Sequence, residues 1–437
     1  MTKIENEYGS YGNDLRYLEH LRDGMVGRGV DCLLFTSDGP TDAMLQGGSV
    51  PGVPATANFG SRPGTSLAAL RRYQKTGPLT CMEYWNGWFD QWGGPHHVRD
   101  AQDAANVLDE MLAAGASVNI YMGHGGTNFG FMSGANHDGR YTATITSYDY
   151  DAPVGEAGEL TEKFHLFRKV IAKHLGPNPH PLPPLQPRLA PATVRPAKSA
   201  RLFDSLDALS ETHRRTTPEP MEAFGQATGF IHYRTHISGP RPEAGLFVDG
   251  LADRAQVFLD GEPIAVLDHD AQHGTPMAIG DDGTVLDVLV ENRGRVNYGP
   301  ELADRKGISG GVRLANQFLF DWEIRPLQLD DLSTLAFTAH DALPAGPAFH
   351  HAELTIDEPA DGFIALPGWT KGAVWLNGFN LGRYSQAGPQ RTLYAPTPLW
   401  RAGHNEIVVL ELHQPGTEIE LCGEPDLGPV AAAPDVV

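Results

Sequence analysis

The sequence has few of the features that mark disulfide-rich, membrane and nucleic-acid-binding proteins. Among 437 residues only three are cysteines, too few and too widely spaced for a disulfide framework, and none lies in a zinc-ligand spacing. No run of about 18 apolar residues occurs, so we expect no transmembrane helix. Lys and Arg number 33 against 54 Asp and Glu, a net charge of −21. A phosphate backbone or an anionic membrane would be repelled, which favours a neutral small-molecule or glycoconjugate partner.

What the sequence does contain is an ordinary globular composition, with 41% apolar and 20% charged residues. The length predicts two or three domains. Up to residue 176, apolar runs alternate with helical patterns, which indicates a parallel sheet with helical crossovers. The predicted strands are residues 1–6, 31–36, 55–60, 79–85 and 116–122, and the predicted helices are residues 15–25, 65–74, 100–114 and 160–175. A (β/α)₈ barrel takes roughly 250 residues, so five units fit here and eight do not.

After the proline-rich stretch 177–187, which cannot form a helix or a central strand, the pattern changes to short alternating strands. Two apolar runs end in hairpin dipeptides, Asp260-Gly261 and Asn377-Gly378, which predicts two related all-β modules. The predicted domains are a partial barrel (1–176), a linker and connecting segment (177–225), and two β-sandwich modules (226–335 and 336–437). The Ala/Pro-rich stretch 428–437 is predicted to fray.

Two acidic residues near the ends of predicted strands are candidates for catalysis, Glu7 and Glu83. Barrel active sites lie at the carboxyl ends of the strands, so these two carboxylates are expected to face each other. A pair roughly 5–5.5 Å apart would support retaining glycoside hydrolysis, and a wider gap would support inversion. Aromatic neighbours such as Trp85 and Trp88 suit a sugar, whose faces are apolar. The alternative is that each acid is a solvated charge and each ring belongs to an ordinary core.

Several long motifs follow one another along the chain: residues 5–12 (ENEYGSYG), 83–90 (EYWNGWFD), 125–130 (GGTNFG), 146–153 (TSYDYDAP), 290–299 (VENRGRVNYG) and 367–384, which begins PGWTKG. On these motifs the chain resembles the family 35 glycoside hydrolases, the β-galactosidases, over nearly its whole length and in the family's order.

The resemblance implies a fold and a set of residue roles. The fold would be multidomain α/β plus all-β: an incomplete TIM barrel, about strands 4–8, followed by two jelly-roll or galactose-binding-like sandwiches. Glu7 would be the acid/base, Glu83 the nucleophile, and Asn6 the partner of the sugar 2-hydroxyl. The galactose subsite would be lined by Trp88, Phe131, Tyr148 and Tyr150. Phe131 stands where the family often has a tyrosine.

The implied reaction is removal of terminal non-reducing β-D-galactose by double displacement, without a metal or an organic cofactor. In the family, three further strands and further galactose-binding residues precede the ENEYG motif, so we expect an N-terminally truncated homologue. Two other functions stay open: an inactive homologue that only binds carbohydrate, and a retaining glycosidase for another sugar. A cytoplasmic location is expected, and the oligomeric state is left open.

One local expectation follows from strand geometry. Side chains alternate along a strand, so Asn6 and Glu7 should point to opposite faces. If both reach one sugar, the strand has to bulge or twist at its end.

Overall fold

The computed structural model describes residues 1–269 and 273–434. The first region, residues 1–176, alternates strands with helices. Its strands are β1 (Thr2–Asn6), β2 (Leu34–Asp38), β3 (Ala55–Phe59), β4 (Thr80–Trp85), β5 (His96–Val98), β6 (Ser117–Tyr121), β7 (Gly126–Thr127), β8 (Gly134–His137), β9 (Tyr141–Ala143) and β10 (Ser147–Tyr148). Its helices are α1 (Leu15–Gly27), α2 (Asp42–Gly48), α3 (Pro63–Tyr73), α4 (Ala101–Ala113) and α5 (Glu162–Leu175).

The five predicted strands form one parallel sheet, in the order β1-β2-β3-β4-β6. A helix lies between each strand and the next, as parallel connections require. The apolar stripes of α3 and α4 supply Leu70 and Leu108, which pack with Phe59 of β3 in a common core. Within the described residues, β1 and β6 each pair with a strand on one side only, so the sheet has two open edges.

The starts of α4 and α3 differ in how well the sequence predicted them. Helix α4 begins after Asp100, whose side chain accepts a hydrogen bond from the backbone N–H of Asp103, as expected of an N-cap. The predicted start of α3 at residue 65 is two residues late, because that helix begins at Pro63. Proline suits the first helical position, since its missing N–H would have no partner there.

The remaining strands are short and mostly antiparallel. They are β11 (Ala192–Val194), β12 (Lys198–Arg201), β13 (His213–Arg215), β14 (Phe230–Ile237), β15 (Arg241–Ala252), β16 (Arg254–Leu259), β17 (Glu262–Asp268), β18 (Thr275–Ile279), β19 (Thr284–Glu291), β20 (Arg295–Tyr298), β21 (Gly307–Leu314), β22 (Gln317–Phe318), β23 (Trp322–Leu327), β24 (Thr338–Ala339), β25 (Ala348–Ile356), β26 (Gly362–Ala365), β27 (Lys371–Leu376), β28 (Phe379–Ser385), β29 (Thr392–Ala395), β30 (Gly403–Glu411), β31 (Ile419–Cys422) and β32 (Val430–Ala432). A short helix, α6 (Leu206–Leu209), lies among them.

These strands build two pairs of sheets. The first β module has a six-stranded sheet, β13-β23-β14-β19-β16-β17, and a four-stranded sheet, β18-β15-β21-β22. The second β module has a six-stranded sheet, β24-β12-β25-β30-β27-β28, and a four-stranded sheet, β11-β31-β26-β29. Each pair encloses its own apolar core, with Trp322 central to one and Trp369 to the other. Both six-stranded sheets end in a hairpin.

Those hairpins are the two that the dipeptides predicted. Strands β16 and β17 are joined through Asp260 and Gly261, and β27 and β28 through Asn377 and Gly378. All four turn residues have positive φ, from 49° to 87°, as a two-residue hairpin turn requires. The prediction of two hairpins is confirmed, and the structure shows that they lie at equivalent edges of the two six-stranded sheets.

Two stretches behave differently from expectation. Part of segment 177–225, predicted as a linker and connecting segment, already belongs to the sheets, because β11 and β12 pair with strands of the second β module. Strand β32 lies in the stretch predicted to fray, and it pairs in parallel with β5 of the first region. Backbone hydrogen bonds from His96 to Pro429 and from Ala433 to Val98 hold it there. The rest of that prediction, residues 435–437, lies outside the described residues. None of the helices described is long and apolar enough to cross a bilayer.

Candidate active site

The first candidate acid lies just beyond β1, where the strand departs from regular geometry. The register of β1 against β2 shifts between Lys3 and Asn6, and Glu7 adopts a left-handed conformation with φ 51°. Such a conformation is costly for a residue with a side chain, and strained residues outside tight turns cluster at functional sites. The expectation that the strand bulges or twists at its end is confirmed.

The second candidate acid, Glu83, is tied to the same strand by a lysine. The Lys3 ammonium donates to Glu83 Oε1 at 2.6 Å and to Asn6 Oδ1 at 2.7 Å. The second oxygen of Glu83, Oε2, lies 3.3 Å from Trp85 Nε1. One cation therefore holds the predicted nucleophile beside the residue predicted to bind the sugar 2-hydroxyl, although 76 residues separate Glu7 from Glu83.

The intervening strands complete the constellation. Asn58 of β3 is in register with Glu83 of β4, and its amide donates to Glu7 Oε1 at 2.9 Å. Ser37 of β2 fixes this amide through a hydrogen bond of 2.5 Å from Oγ to Asn58 Oδ1. Four consecutive strands thus contribute side chains to one cluster at the carboxyl ends of the sheet.

The two acids differ in their electrostatic environment. Burial raises the pKa of Glu7, the hydrogen bond from Asn58 opposes this, and the charge of Glu83 adds to the increase. A carboxyl group whose pKa is raised can hold a proton near neutral pH and act as an acid. The Glu83 carboxylate instead lies against the Lys3 ammonium at 2.6 Å. The two acids therefore have different polar partners, an amide for Glu7 and an ammonium for Glu83.

A third carboxyl group supports the turn after Glu7. Asp38, at the end of β2, is buried, and it accepts a hydrogen bond of 2.7 Å from the backbone N–H of Gly9. Burial raises the pKa of Asp38 to about 6, and the charge of Glu7 contributes to this. Gly9 approaches so closely that an added Cβ would lie 1.9 Å from the Met44 carbonyl oxygen. Only glycine fits this position.

A continuous row of aromatic rings borders the carboxylates. In order, the centroid distances are Trp85–Trp88 6.1 Å, Trp88–Phe89 5.0 Å, Phe89–Tyr148 6.1 Å, Tyr148–Tyr150 5.6 Å and Tyr150–Tyr121 5.5 Å. The hydroxyls of Tyr121 and Tyr148 lie 3.3 Å apart. Burial raises the pKa of Tyr121, and the charges of Glu83 and Glu7 raise it further. This aromatic wall is therefore close to both acids, with apolar faces and hydroxyl rims.

Most of the predicted site residues meet in this cluster: Asn6, Glu7, Glu83, Trp88, Tyr148 and Tyr150. Phe131 does not. It is buried in a different core, where its ring packs at 5.7 Å from Phe230 and 6.1 Å from Trp375. A phenylalanine has no hydroxyl to offer a sugar, and this one fills the junction between the first region and the β modules. We therefore do not retain Phe131 as a substrate-binding residue.

The structure adds three residues that sequence reasoning did not consider for the site, Lys3, Asn58 and Tyr121, and it gives Trp85, named only as an aromatic neighbour, a contact with Glu83. Asn58 and Tyr121 lie in the last two positions of β3 and β6, so the rule that barrel sites lie at carboxyl ends of strands would have identified them. The role of Lys3 had no such signal, because its partner is 80 residues away.

One group of possible metal ligands occurs among the described residues, far along the chain from the acids. One ligand atom each from Asp253, His269 and Asp304 lies within 4.8 Å of the others. The Lys306 ammonium, however, is 2.6 Å from Asp253 Oδ1 and 3.1 Å from Asp304 Oδ2. The lysine already supplies the positive charge that a metal would bring.

Comparison with known proteins identifies the family. The profile for glycosyl hydrolases family 35 matches residues 1–174, the β-galactosidase first all-beta domain matches 218–328, and the β-galactosidase galactose-binding domain matches 347–405. Human beta-galactosidase-1-like protein 2 is 39% identical over 448 residues, covering 98% of this chain and 68% of that protein. The Bos taurus beta-galactosidase is also 39% identical, covering 95% and 68%.

A bacterial relative, the beta-galactosidase of Xanthomonas manihotis, is 41% identical over 404 residues, covering 90% of this chain and 66% of that protein. The chain spans about two thirds of the length of these relatives. Catalytic and all-β domains follow one another in the family's order along it. The chain therefore belongs to family 35 of the glycosyl hydrolases and is a glycoside hydrolase of the β-galactosidase class.

Proposed function

We propose that this protein removes terminal β-D-galactose from oligosaccharides or glycoconjugates with retention of configuration. The observation that carries the proposal is the coupling of Glu7 and Glu83 through Lys3 and Asn58, beside an aromatic wall. The charge of Glu83 contributes to raising the pKa of Glu7, which indicates that both acids share one site. Two carboxyl groups with different protonation states are what a double displacement needs.

In the first step, a Glu83 oxygen attacks the anomeric carbon while Glu7 protonates the departing glycosidic oxygen. The C–O bond to the aglycone breaks, and an ester bond between galactose and Glu83 forms. Esterification removes the charge of Glu83, which lowers the pKa of Glu7 and prepares it to accept a proton. In the second step, Glu7 takes a proton from water, which attacks the same carbon and releases galactose and the Glu83 carboxylate.

The surrounding residues have separate roles in this scheme. The Lys3 ammonium fixes the orientation of the Glu83 carboxylate. We propose that Asn6, held by the same ammonium, hydrogen-bonds the sugar 2-hydroxyl beside Glu83. Trp88, Tyr148 and Tyr150 would contact the apolar face and the rim of galactose. The Trp85 indole N–H would stabilise the second oxygen of Glu83.

We further propose that the parallel sheet is an arc of a (β/α)₈ barrel. The strands follow the chain order, a helix separates each pair, and the polar cluster lies at their carboxyl ends, as in such barrels. The remaining strands would pair with the open edges, β1 and β6. Their loops would supply further contacts to galactose on the side opposite the aromatic wall.

The 437-residue chain can be tested with 4-nitrophenyl β-D-galactoside and a 2-deoxy-2-fluoro galactoside. We expect hydrolysis with β-galactose as the first product by NMR, and a covalent adduct mapped to Glu83 by peptide mass spectrometry. The Glu83→Gln variant should lose at least about 10³-fold in turnover, a typical loss when a nucleophile is removed. Glu353→Gln, in an exposed ion pair of the second β module, is the matched control and should keep its activity.

Four results would contradict the proposal. Release of α-galactose would replace retention with inversion. Galactose binding without turnover would favour a carbohydrate-binding protein, and faster cleavage of a different β-glycoside would change the sugar specificity. An adduct on any residue except Glu83 would remove it as the nucleophile.

A further inference from the structure

A second polar pocket lies where the first region and the two β modules meet, separate from the carboxylate pair. It has a volume of about 280 Å³. The charged and aromatic residues that line it come from all three parts: Trp92, Arg254, Asp268, Arg293, Lys371 and His413. We call it the junction pocket. None of these residues takes part in the proposed hydrolysis.

The junction pocket carries an excess of positive charge. Three cations line it, Arg254, Arg293 and Lys371, and the carboxylate among these residues is Asp268, which is 70% exposed and 3.6 Å from Arg293. Behind the wall, Glu291 lies 3.0 Å from Lys371 and 3.4 Å from Arg383, so Glu291 and Arg383 cancel each other. Glu411 also lies behind the wall and accepts hydrogen bonds from the backbone N–H groups of Thr370 and His413. When Glu411 is counted, the local balance among the described residues is about +1, in a chain whose total is −21.

His413 does not add to this charge. Burial lowers its pKa to about 4, and the neighbouring Arg254 lowers it as well. The ring is therefore neutral at pH 7, which lets Nε2 accept a hydrogen bond of 2.7 Å from the Arg254 guanidinium. Arg254 is thereby held in place by a neutral partner and keeps its full positive charge.

The junction pocket also has donors that lack acceptors. The indole N–H of Trp92 and the Nε–H of Arg293 are buried, and neither has a hydrogen-bond partner among the described residues. A buried donor without a partner costs about 1–3 kcal/mol, so native structures rarely keep one. An anion with several acceptor oxygens would satisfy both donors and would also compensate the net charge of about +1 around the cavity.

We propose that the junction pocket binds one tetrahedral oxyanion, phosphate or sulfate, and that the anion ties the two β modules to the first region. A cation would be repelled by the lining, and a neutral sugar would leave the charge uncompensated. Arginine forks match the geometry of such oxyanions well. The site is independent of the hydrolytic reaction, so failure of the proposed function would leave it standing.

The test is phosphate binding by isothermal titration calorimetry, with sulfate as competitor and chloride at equal ionic strength as the screening control. We expect one phosphate per chain, displaced by sulfate and unaffected by chloride. Arg293→Gln and Arg254→Gln should each weaken binding at least about tenfold, the loss of one charge-assisted contact. Arg214→Gln, an exposed arginine of the first β module whose side chain is 82% accessible, should leave binding unchanged.

Thermal unfolding provides a second measurement that does not depend on calorimetric heat. Phosphate should raise the Tm of the wild-type protein and of Arg214→Gln, with a smaller rise for Arg293→Gln. Arg293→Lys, which keeps the charge but loses the fork, should bind with intermediate affinity and would show that a weak Gln variant is not simply misfolded. Equal binding in all variants would mean an adventitious ion only. Absence of saturable binding at millimolar phosphate, or stronger binding of acetate than phosphate, would overturn the proposal.

Discussion

Two lysine–glutamate pairs show how differently the catalytic region and the β modules use charge. Lys3 and Glu83 lie 2.6 Å apart, with side chains 21% and 13% exposed. Lys371 and Glu291 lie 3.0 Å apart, but are only 10% and 3% exposed. The first pair lies at the carboxyl ends of a sheet with two open edges, whereas the second lies at the junction of three packed parts. The first is accessible to a substrate, and the second is not.

Burial changes the electrostatics of the second pair. Burial lowers the pKa of Lys371 to about 8, although Glu291 opposes this. Burial alone would raise the pKa of Glu291, but the charges of Lys371 and Arg383 lower it to about 2. A buried carboxylate that depends on two cations is a structural element. An acid that exchanges protons with a substrate needs a carboxyl group whose charge is not compensated so fully by neighbouring cations.

The largest effect is expected when the buried pair is disrupted, and it is a loss in the free energy of unfolding. In Lys371→Met, Glu291 loses its nearest cation, while Arg383 at 3.4 Å and the charges of Arg254 and Arg293 remain. Removing one partner of a buried pair typically costs about 3–5 kcal/mol, and we expect the lower end here. Urea unfolding followed by circular dichroism measures this change.

The double variant Lys371→Met/Glu291→Gln is the control. It removes the uncompensated charge, so most of the lost stability should return. If the single and double variants were equally unstable, lost packing would explain the effect and the charge would not.

Glu156 provides a third case, a buried acid whose hydrogen-bond partners among the described residues are neutral. Glu156 is 3% exposed and accepts hydrogen bonds from the hydroxyls of Thr127 and Ser147. Burial raises its pKa to about 8. Since the folded pKa exceeds the unfolded value, the folded state binds more protons between about pH 4.5 and 8. Stability is therefore lost as the pH rises through this window.

We expect Glu156 to reduce the free energy of unfolding by about 2–3 kcal/mol between pH 5 and pH 7. Glu156→Gln cannot ionise, so the difference between variant and wild type isolates this contribution from other titrating groups. Urea melts at a series of pH values measure it. Parallel stability curves for the two proteins would contradict a raised pKa at Glu156.

Breaking the pair at the active site should have the opposite pattern, with a large effect on catalysis and a small one on stability. Lys3→Met removes the cation that orients Glu83 and Asn6. We expect kcat/KM for a β-galactoside to fall roughly 10–100-fold, a typical cost of losing one positioned charge. The free energy of unfolding should change by less than about 1 kcal/mol, because the pair is partly exposed.

Lys198→Met provides the matched control, since Lys198 forms a comparable pair with Glu353 at 3.0 Å on the surface of the second β module. It should leave kcat/KM unchanged. A Lys3→Met protein with normal activity would mean that the ion pair with Glu83 does not matter for turnover.

The sequence predicted the features that depend on local patterns and missed those that depend on contacts between distant residues. Apolar runs predicted all five parallel strands, and Asp-Gly and Asn-Gly predicted both hairpins, because these signals are local. Glu7 and Glu83 were found through motifs and strand ends. Lys3 and Asn58 were missed, because their roles depend on contacts across neighbouring strands, 80 and 51 residues apart.

The expectations for Phe131 and for the stretch that contains β32 differ from the structure for this same reason. Phe131 lies close in sequence to the loop before Tyr148, yet its ring packs against Phe230 and Trp375, which come from the β modules. Strand β32 has an Ala/Pro-rich sequence without strand periodicity, and it is ordered by pairing with β5. In both cases a distant part of the chain decides the structure.

The smallest effect expected is on the pH dependence of catalysis, through Asn58. This amide donates to Glu7 and stabilises the ionised carboxylate, so it lowers a pKa that burial raises. Asn58→Leu removes the hydrogen bond at similar volume, and the pKa of Glu7 should rise further. Because the acid must be protonated to release the aglycone, the alkaline limb of kcat/KM should move to higher pH by about half a unit to one unit.

Asn119→Leu is the control for this shift, since Asn119 of β6 donates only to the Met82 carbonyl oxygen among the described residues and should leave the limb in place. Lys3→Met should move the limb in the same direction as Asn58→Leu, because the lysine charge also lowers the pKa of Glu7. A shift to lower pH in Asn58→Leu would mean that the titrating acid is not Glu7. If both variants move the alkaline limb to higher pH, the proton donor is the acid that both Asn58 and Lys3 influence, which is Glu7. That acid lies between β1 and β3, in the partly exposed cluster and not among the buried ion pairs.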